Sequence, residues 1–326
     1  MSAGLTGLSR LGPTLLGYRA KQRLTILIFH RVLPEYDPMR PDEPTVALFD
    51  WQMQLLRRYF SPLSLREAIA RQQDNTLPER AVCVTFDDGY ADNALCALPV
   101  LERYAIPASV FVSTAFLNGG RMWNDSVREA LRIAPGDEFD LTDFGLERYQ
   151  TSSMDERLVA AEAIIRAIKH KDPLERATLV DQIETLVGEL PGDLMLTSEQ
   201  LRNLGRGEVS IGAHTVNHPI LSSISASQAE AEIAGSRETL QDILQKDVEQ
   251  FAYPNGAPGV DYTAEHRDMV ERLGFKVAVS THWGAACKKS DPYQLPRFTP
   301  WDRSSLKFML RLLMNYRKVD PLIIGQ

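Results

Sequence analysis

Residues 81–89 read AVCVTFDDG, an apolar run that ends at two aspartates and a glycine. The run predicts a fully buried strand of the kind found in parallel sheets. Two carboxylates inside a buried strand would be costly, so we place Asp87 and Asp88 at its carboxyl end, where Gly89 allows a turn. Parallel α/β barrels carry their catalytic groups at that end. Taken alone, the motif also fits a solvated turn.

Strand and helix signals alternate on both sides of this motif. The chain has 326 residues, 44% of them hydrophobic, which fits an α/β barrel with insertions. The alternation favours a parallel sheet. Strands are predicted at 24–29, 81–86, 108–112, 209–213, 251–253 and 276–280, and helices at 49–59, 64–72, 93–104, 226–244 and 264–273.

The alternation stops between about 124 and 204, where we find no strand signal. Two charged, amphipathic stretches there predict helices at 154–169 and 174–190. We interpret the whole segment as a helical insertion between two barrel strands.

The predicted organisation has three parts. Residues 1–23 are an N-terminal extension, 24–303 are the barrel, and 304–326 are a C-terminal helix and tail. The last helix, at 307–318, either docks on the barrel or lies on a membrane surface.

Composition narrows the function classes. With 43 acidic and 36 basic residues, the chain lacks the basic footprint of a nucleic-acid-binding protein. Three cysteines without metal-site spacing favour a reducing compartment. We find neither a signal peptide nor a membrane-spanning stretch, so we expect a cytoplasmic protein, with peripheral membrane contact as an open alternative. The oligomeric state is left open.

A second motif, His214-Thr215-Val216-Asn217-His218, follows a strand-like run. Two imidazoles four residues apart, in one helical turn or in a tight loop, can reach one metal ion. Together the two motifs supply two nitrogens and one carboxylate oxygen, the ligand set of a catalytic zinc-type site with a position open for water. The other carboxylate remains available to take a proton.

These motifs resemble those of the polysaccharide deacetylase family, also called the NodB-homology or carbohydrate esterase 4 group. TFDDG matches the first family motif, and H-T-x-x-H matches the second, within a resemblance that covers about residues 24–300. The resemblance implies a distorted (β/α)7 barrel. It also implies that Asp87 is the catalytic base and that Asp88, His214 and His218 hold a divalent metal ion. Zinc is the expected metal, with cobalt, nickel and manganese as alternatives.

The third family motif, R-x-P-Y-G, is altered here to Ala252-Tyr253-Pro254-Asn255-Gly256. This form resembles the exopolysaccharide-biosynthesis branch of the family. The oxyanion role belongs to a backbone N–H, which Asn255 can still supply. Because the motif arginine is missing, we expect Arg297 to replace it as the partner of Asp87.

The general acid of the family is a histidine in a Leu-x-His motif, and no such motif follows residue 283. His30 ends the first predicted strand, so we expect it at the same barrel mouth as acid or substrate contact. His282 is the second choice. Candidates for stacking on sugar rings are Trp123, Tyr90 and Trp283.

The expected activity is metal-dependent removal of acetyl groups from N-acetylated sugars of a polysaccharide or lipid-linked glycan. One alternative keeps the site but cleaves O-acetyl esters. A second alternative is a non-catalytic sugar-binding module. It is disfavoured because binding alone does not need a base beside a metal.

Overall fold

The computed structural model describes residues 22–319. Within them, strands and helices alternate as the parallel-sheet interpretation requires. The strands are β1 (Arg23–Phe29), β2 (Ser61–Pro62), β3 (Ala81–Phe86), β4 (Ala108–Val112), β5 (Glu138–Asp140), β6 (Arg148–Gln150), β7 (Val209–Ala213), β8 (Gln250–Ala252), β9 (Val277–Trp283), β10 (Ala286–Cys287) and β11 (Leu295–Arg297). The α-helices are α1 (Val46–Tyr59), α2 (Leu65–Gln73), α3 (Leu98–Arg103), α4 (Trp123–Ile133), α5 (Met154–Ile168), α6 (Pro173–Val187), α7 (Ser198–Leu204), α8 (Ala226–Leu244), α9 (Ala264–Arg272) and α10 (Ser305–Asn315).

Seven parallel strands form the barrel in the order β1, β3, β4, β7, β8, β9, β11. The ring closes because Phe298, the residue after β11, pairs with β1. The Ile28 N–H donates to the Phe298 carbonyl at 3.0 Å, and the Phe298 N–H donates to the Ile26 carbonyl at 2.8 Å. The predicted distorted (β/α)7 barrel is confirmed.

The barrel wall is packed on the side of α1. All six residues of β3 are buried. Phe86 lies between Phe29 and Phe49, with ring centroids 5.6 and 5.8 Å away. Truncating a buried phenylalanine to alanine typically costs about 3–5 kcal/mol, so this aromatic cluster is a main contributor to stability.

A helical unit lies between β4 and β7, where the insertion was predicted. Its helices α4, α5 and α6 share a separate core that includes Val127, Leu131, Ile164 and Ile183. The prediction that this segment contains no strand is wrong, because β5 and β6 pair there as an antiparallel hairpin. Each strand has three residues and only its central residue is buried, which is too short for a periodic signal.

The two ends of the chain are described in part. Apart from residues 22 and 23, the predicted N-terminal extension lies outside the described residues, and so does the tail beyond 319. Helix α10 buries Phe308 and Leu312 against the main core. Between residues 22 and 319, no helix is both long and apolar enough to cross a bilayer.

Candidate active site

The turn after β3 directs its two aspartates to different partners. Asp88 and Gly89 have left-handed backbone conformations, with φ of 74° and 88°. A Cβ atom at Gly89 would lie 2.9 Å from a methyl carbon of Val112, so a side chain is excluded there. The backbone N–H of Asp87 still donates to the Phe29 carbonyl at 3.0 Å. The chain therefore turns sharply between the two carboxylates.

Asp87 pairs with Arg297 at the centre of the barrel mouth. Two guanidinium nitrogens donate to its two carboxylate oxygens at 2.7 and 2.6 Å. Arg297 is only 1% exposed, and its Nε donates to the Ser280 carbonyl at 2.9 Å. Burial alone would raise the pKa of Asp87, but Arg297 and His214 hold it below its ordinary value. Asp87 is therefore ionised at neutral pH.

Asp88 faces the two histidines of the second motif. Its Oδ1 atom lies 3.4 Å from the Nε2 atoms of both His214 and His218. Burial alone would raise the pKa of Asp88, but the two rings hold it well below its ordinary value. Within the described part of the chain, this is the group of three potential metal-ligating side chains whose ligand atoms lie within 4.8 Å of one another.

The histidine loop is held by a residue that the sequence did not indicate. Glu232, on α8, accepts hydrogen bonds from the backbone N–H groups of Val216 and Asn217 at 2.8 and 2.7 Å. The Thr215 hydroxyl accepts a further bond from the His218 N–H at 3.1 Å. These contacts fix the left-handed residues Thr215 and His218 that bring the second ring back to the first.

The donor chemistry of this triad fits a divalent cation. The Nδ1 atom of His214 lies 2.7 Å from the Ala252 carbonyl, which orients the ring with Nε2 toward Asp88. Burial lowers the pKa of His218 to about 4, so this ring is neutral at pH 7. Asp88 Oδ1 is buried and has no hydrogen-bond donor. Two imidazole nitrogens and one carboxylate oxygen that converge in this way form the donor set of a catalytic zinc-type site.

Two further predicted site residues line the same cavity, which has a volume of about 330 Å³. His30 follows β1, and Asn255 follows β8 with a left-handed φ of 57°. The Thr281 hydroxyl donates to the Asn255 carbonyl at 2.8 Å, which orients the peptide that follows it. All seven predicted site residues therefore meet at one end of the barrel.

The three aromatic residues predicted to stack on sugar rings differ in their position relative to the cavity. Tyr90 and Trp123 line the cavity, whereas Trp283 lies outside it and packs 6.0 Å from Phe298, centroid to centroid. Tyr90 is buried, and its hydroxyl donates to Asp125 at 2.8 Å. It is thus part of the cavity's frame, and Trp123 remains the better stacking candidate. His282 is not among the lining residues.

Residues 74–137 and 146–278, more than half of the chain, match the family model described as polysaccharide deacetylase. The chain belongs to the polysaccharide deacetylase family. The predicted membership is confirmed, and the protein is a deacetylase of the hydrolase class.

Individual relatives are distant. This chain is 23% identical over 276 residues to YxkH of Bacillus subtilis (strain 168), which is named as a polysaccharide deacetylase. The match covers 84% of this chain and 70% of YxkH. Among solved structures, this chain resembles the Streptococcus pyogenes deacetylase PplD in complex with acetate, with a TM-score of 0.59, 22% identity and coverage of 89% and 98%. It resembles IcaB from Ammonifex degensii with the same TM-score of 0.59, 19% identity and coverage of 90% and 97%. These two likenesses support the barrel fold.

Proposed function

We propose that this deacetylase hydrolyses N-acetyl groups on the sugars of a glycan, with a divalent metal ion held by Asp88, His214 and His218. The observation that carries the proposal is the buried Asp88 carboxylate, whose Oδ1 atom lies 3.4 Å from the Nε2 atoms of both His214 and His218. Zinc is the ion we expect, since nitrogen and carboxylate donors suit it. When bound, the ion would activate water and polarise the acetyl carbonyl.

The remaining site residues have separate roles in the proposed mechanism. Asp87 takes a proton from the attacking water, and Arg297 holds its carboxylate in position. The backbone N–H of Asn255 stabilises the negative charge that develops on the carbonyl oxygen, a contribution typically of about 3 kcal/mol. His30 donates a proton to the amine as the carbon–nitrogen bond breaks. The products are acetate and a free amino sugar.

The test is acetate release from N-acetylglucosamine oligomers, measured with the purified protein before and after chelation and after zinc is restored. We expect activity to disappear with the chelator and return with zinc. His214→Ala should lower the zinc content measured in the purified protein by more than tenfold. Acetate release that is unaffected by chelation, with zinc-free protein, would contradict the metal assignment.

Two other activities are outcomes of the same assay. Release of acetate from O-acetylated xylan oligomers, but not from N-acetylated sugars, would identify an esterase that uses the same site. Glycan binding without acetate release, in zinc-loaded protein, would identify a sugar-binding module. An ionised Asp87 beside the triad argues against the second outcome, because binding does not need a base.

We also propose that the deacetylase contacts an anionic membrane through α10. Leu306, Leu310 and Met314 are exposed by 45%, 41% and 65%, and their spacing of four places them along one helix face. Trp301, just before the helix, is 52% exposed. Residues 303–318 contain five basic residues and no acidic residue, although the whole chain has a net charge of −7. An apolar stripe flanked by cations and tryptophan is typical of interfacial helices.

Sedimentation with lipid vesicles tests this contact. We expect binding to vesicles that contain phosphatidylglycerol and little binding to pure phosphatidylcholine. Leu310→Glu should reduce binding about tenfold, and Leu174→Glu, at a residue 80% exposed on α6, serves as the control. Equal sedimentation of the wild type and Leu310→Glu would contradict the proposal.

A further inference from the structure

The cavity at the barrel mouth has a second wall that belongs to the helical unit between β4 and β7. We call it the insertion wall and define it by Trp123, Arg128, Glu162, Lys169 and Arg176. The proposed chemistry uses none of these side chains. Three of the five are cations, in a protein whose overall charge is negative.

The three cations of the insertion wall have no ion-pair partner among residues 22–319. Arg176 is 9% exposed, and its guanidinium donates to the Lys169 carbonyl at 3.1 Å. Arg128 is half-buried and donates to the Met39 carbonyl at 2.9 Å. Lys169 is half-buried at the end of α5. None of the three charges is therefore neutralised by a carboxylate within 4 Å among the residues that the structure describes.

None of the carboxylates that line the same cavity, Asp42 and Glu43 included, forms an ion pair with these three cations. Asp125 and Glu129 are both bound to Arg40, at 2.8 and 2.6 Å. Glu162 lines the cavity, but it is exposed and water screens its charge. Burial lowers the pKa of Arg176, and the charge of Asp172 opposes this effect only in part. The Asp172 carboxylate accepts its hydrogen bonds from backbone N–H groups at the start of α6 and not from Arg176. A net positive charge remains on this wall.

Removing a guanidinium from water without a counter-ion is costly, and arginines are almost never fully buried unless they are paired. Arg176 lies with its guanidinium carbon 4.8 Å from the centre of the Trp123 ring, which holds it toward the cavity. Trp123 also offers ring area against which a sugar can pack. An aromatic surface and a fixed cation beside a reactive site suit a charged sugar unit.

We infer that the insertion wall is a subsite for an anionic group, a carboxylate or a phosphoryl group, carried by the glycan that this enzyme deacetylates. The inference rests on the proposed deacetylation and adds the charge of the substrate to it. Arg176 would form charge-assisted hydrogen bonds with the anionic oxygens, and Arg128 and Lys169 would add further positive charge. The anionic unit would be a neighbour of the acetylated sugar, since both walls line one cavity.

The experiment measures acetate release by the zinc-loaded 326-residue protein from three substrates. The substrates are a neutral N-acetylglucosamine oligomer, an oligomer that alternates N-acetylglucosamine with glucuronic acid, and N-acetylglucosamine 1-phosphate. We expect wild-type kcat/KM to be at least about tenfold higher for one or both anionic substrates than for the neutral one, as a charge-assisted contact would give. The two anionic arms distinguish a carboxylate from a phosphoryl group.

Variants test whether the insertion wall causes this preference. Arg176→Met should reduce the ratio of anionic to neutral kcat/KM about tenfold, and Lys169→Gln should reduce it by a smaller factor. Lys169→Gln also covers the case in which Arg176→Met fails to fold. Arg148→Met, which removes an exposed cation on the β5–β6 hairpin, is the matched control and should keep the wild-type ratio.

Failure of this inference is distinguishable from failure of the proposed function. Acetate release from all substrates with equal kcat/KM would overturn the anionic subsite and leave the deacetylase activity standing. If no substrate releases acetate, calorimetric binding of the deacetylated glucuronic-acid oligomer still tests the subsite. Binding that Arg176→Met weakens would support it, and absence of binding would overturn it.

Discussion

The two walls of the cavity, the barrel mouth and the insertion wall, differ in whether their charged side chains are paired. At the barrel mouth, Asp87 is paired with Arg297, and Asp88 faces His214 and His218, so each charge has a fixed position. On the insertion wall, Arg176 is buried without a counter-ion. Charges that are paired inside the protein hold the chemistry in place, and a charge left without a partner is available to an incoming group.

Arg40 shows that the insertion can neutralise an arginine where the fold requires it. Burial alone would lower the pKa of Arg40, but Asp125 and Glu129 raise it above its ordinary value. Burial lowers the pKa of Arg176, and Asp172 offsets this only in part. The two arginines are buried to a similar degree, at 7% and 9% exposure. The difference between them therefore lies in their carboxylate neighbours.

The largest expected effect is at the barrel mouth. Asp87→Asn should reduce kcat/KM by about 10³-fold for neutral and anionic substrates alike, because it removes the proposed base. Zinc content should stay within twofold of the wild type. Acetate release and metal analysis measure the two quantities.

Asp92→Asn is the matched control for this variant. Asp92 forms another buried pair with an arginine, Arg31, at 2.7 Å, but it does not line the cavity. Both variants leave a buried guanidinium without its carboxylate, so their losses of stability should be similar. If Asp92→Asn were as inactive as Asp87→Asn, loss of the arginine's partner rather than loss of a base would explain both results.

The next effect concerns the contact between the two walls. Arg40 belongs to the segment after β1 and binds Asp125 and Glu129 of α4. Arg40→Met should lower the free energy of unfolding by about 3 kcal/mol, because buried Asp125 loses its counter-ion and Glu129 keeps only Arg132. Urea denaturation measures this loss. Arg148→Met, which removes an exposed ion pair, should change the free energy of unfolding by less than about 0.5 kcal/mol. Equal losses in the two variants would show that the buried Arg40 ion pairs stabilise the fold no more than an exposed pair does.

The smallest effect concerns the support of the histidine loop. Glu232→Ala should weaken zinc binding about tenfold, because groups that orient metal ligands typically contribute 10- to 100-fold to affinity. Competition with a fluorescent chelator gives the affinity. Glu238→Ala, a neighbouring carboxylate on α8, is the control. Unchanged affinity in Glu232→Ala would mean that the loop keeps its shape without this residue.

Much of the fold could be predicted from local sequence. The strands at 209–213 and the helix at 226–244 have the predicted boundaries, since long or strongly apolar segments carry clear periodicity. The three-residue strand β11, which carries Arg297 and leads to the residue that closes the barrel, was missed as a strand. Three residues including a proline give no periodic signal, and only pairing with β9 makes them part of the sheet.

The candidate site was predictable to a similar extent. The two motifs indicated Asp87, Asp88, His214 and His218, because unusual polar residues follow apolar strands. Glu232 could not be found in this way, since a glutamate on an amphipathic helix looks like an ordinary exposed residue. Its role depends on where α8 packs, which is a property of the whole fold.

The sequence by itself determined six of the seven barrel strands and the polar side chains that follow their carboxyl ends, because burial and periodicity are local. The tertiary structure decided which of these groups meet. Arg297 reaches Asp87 across 210 residues of chain, and the cations of the insertion face the same cavity as the triad. Contacts between segments so distant in sequence depend on barrel closure and helix packing, which no local pattern records.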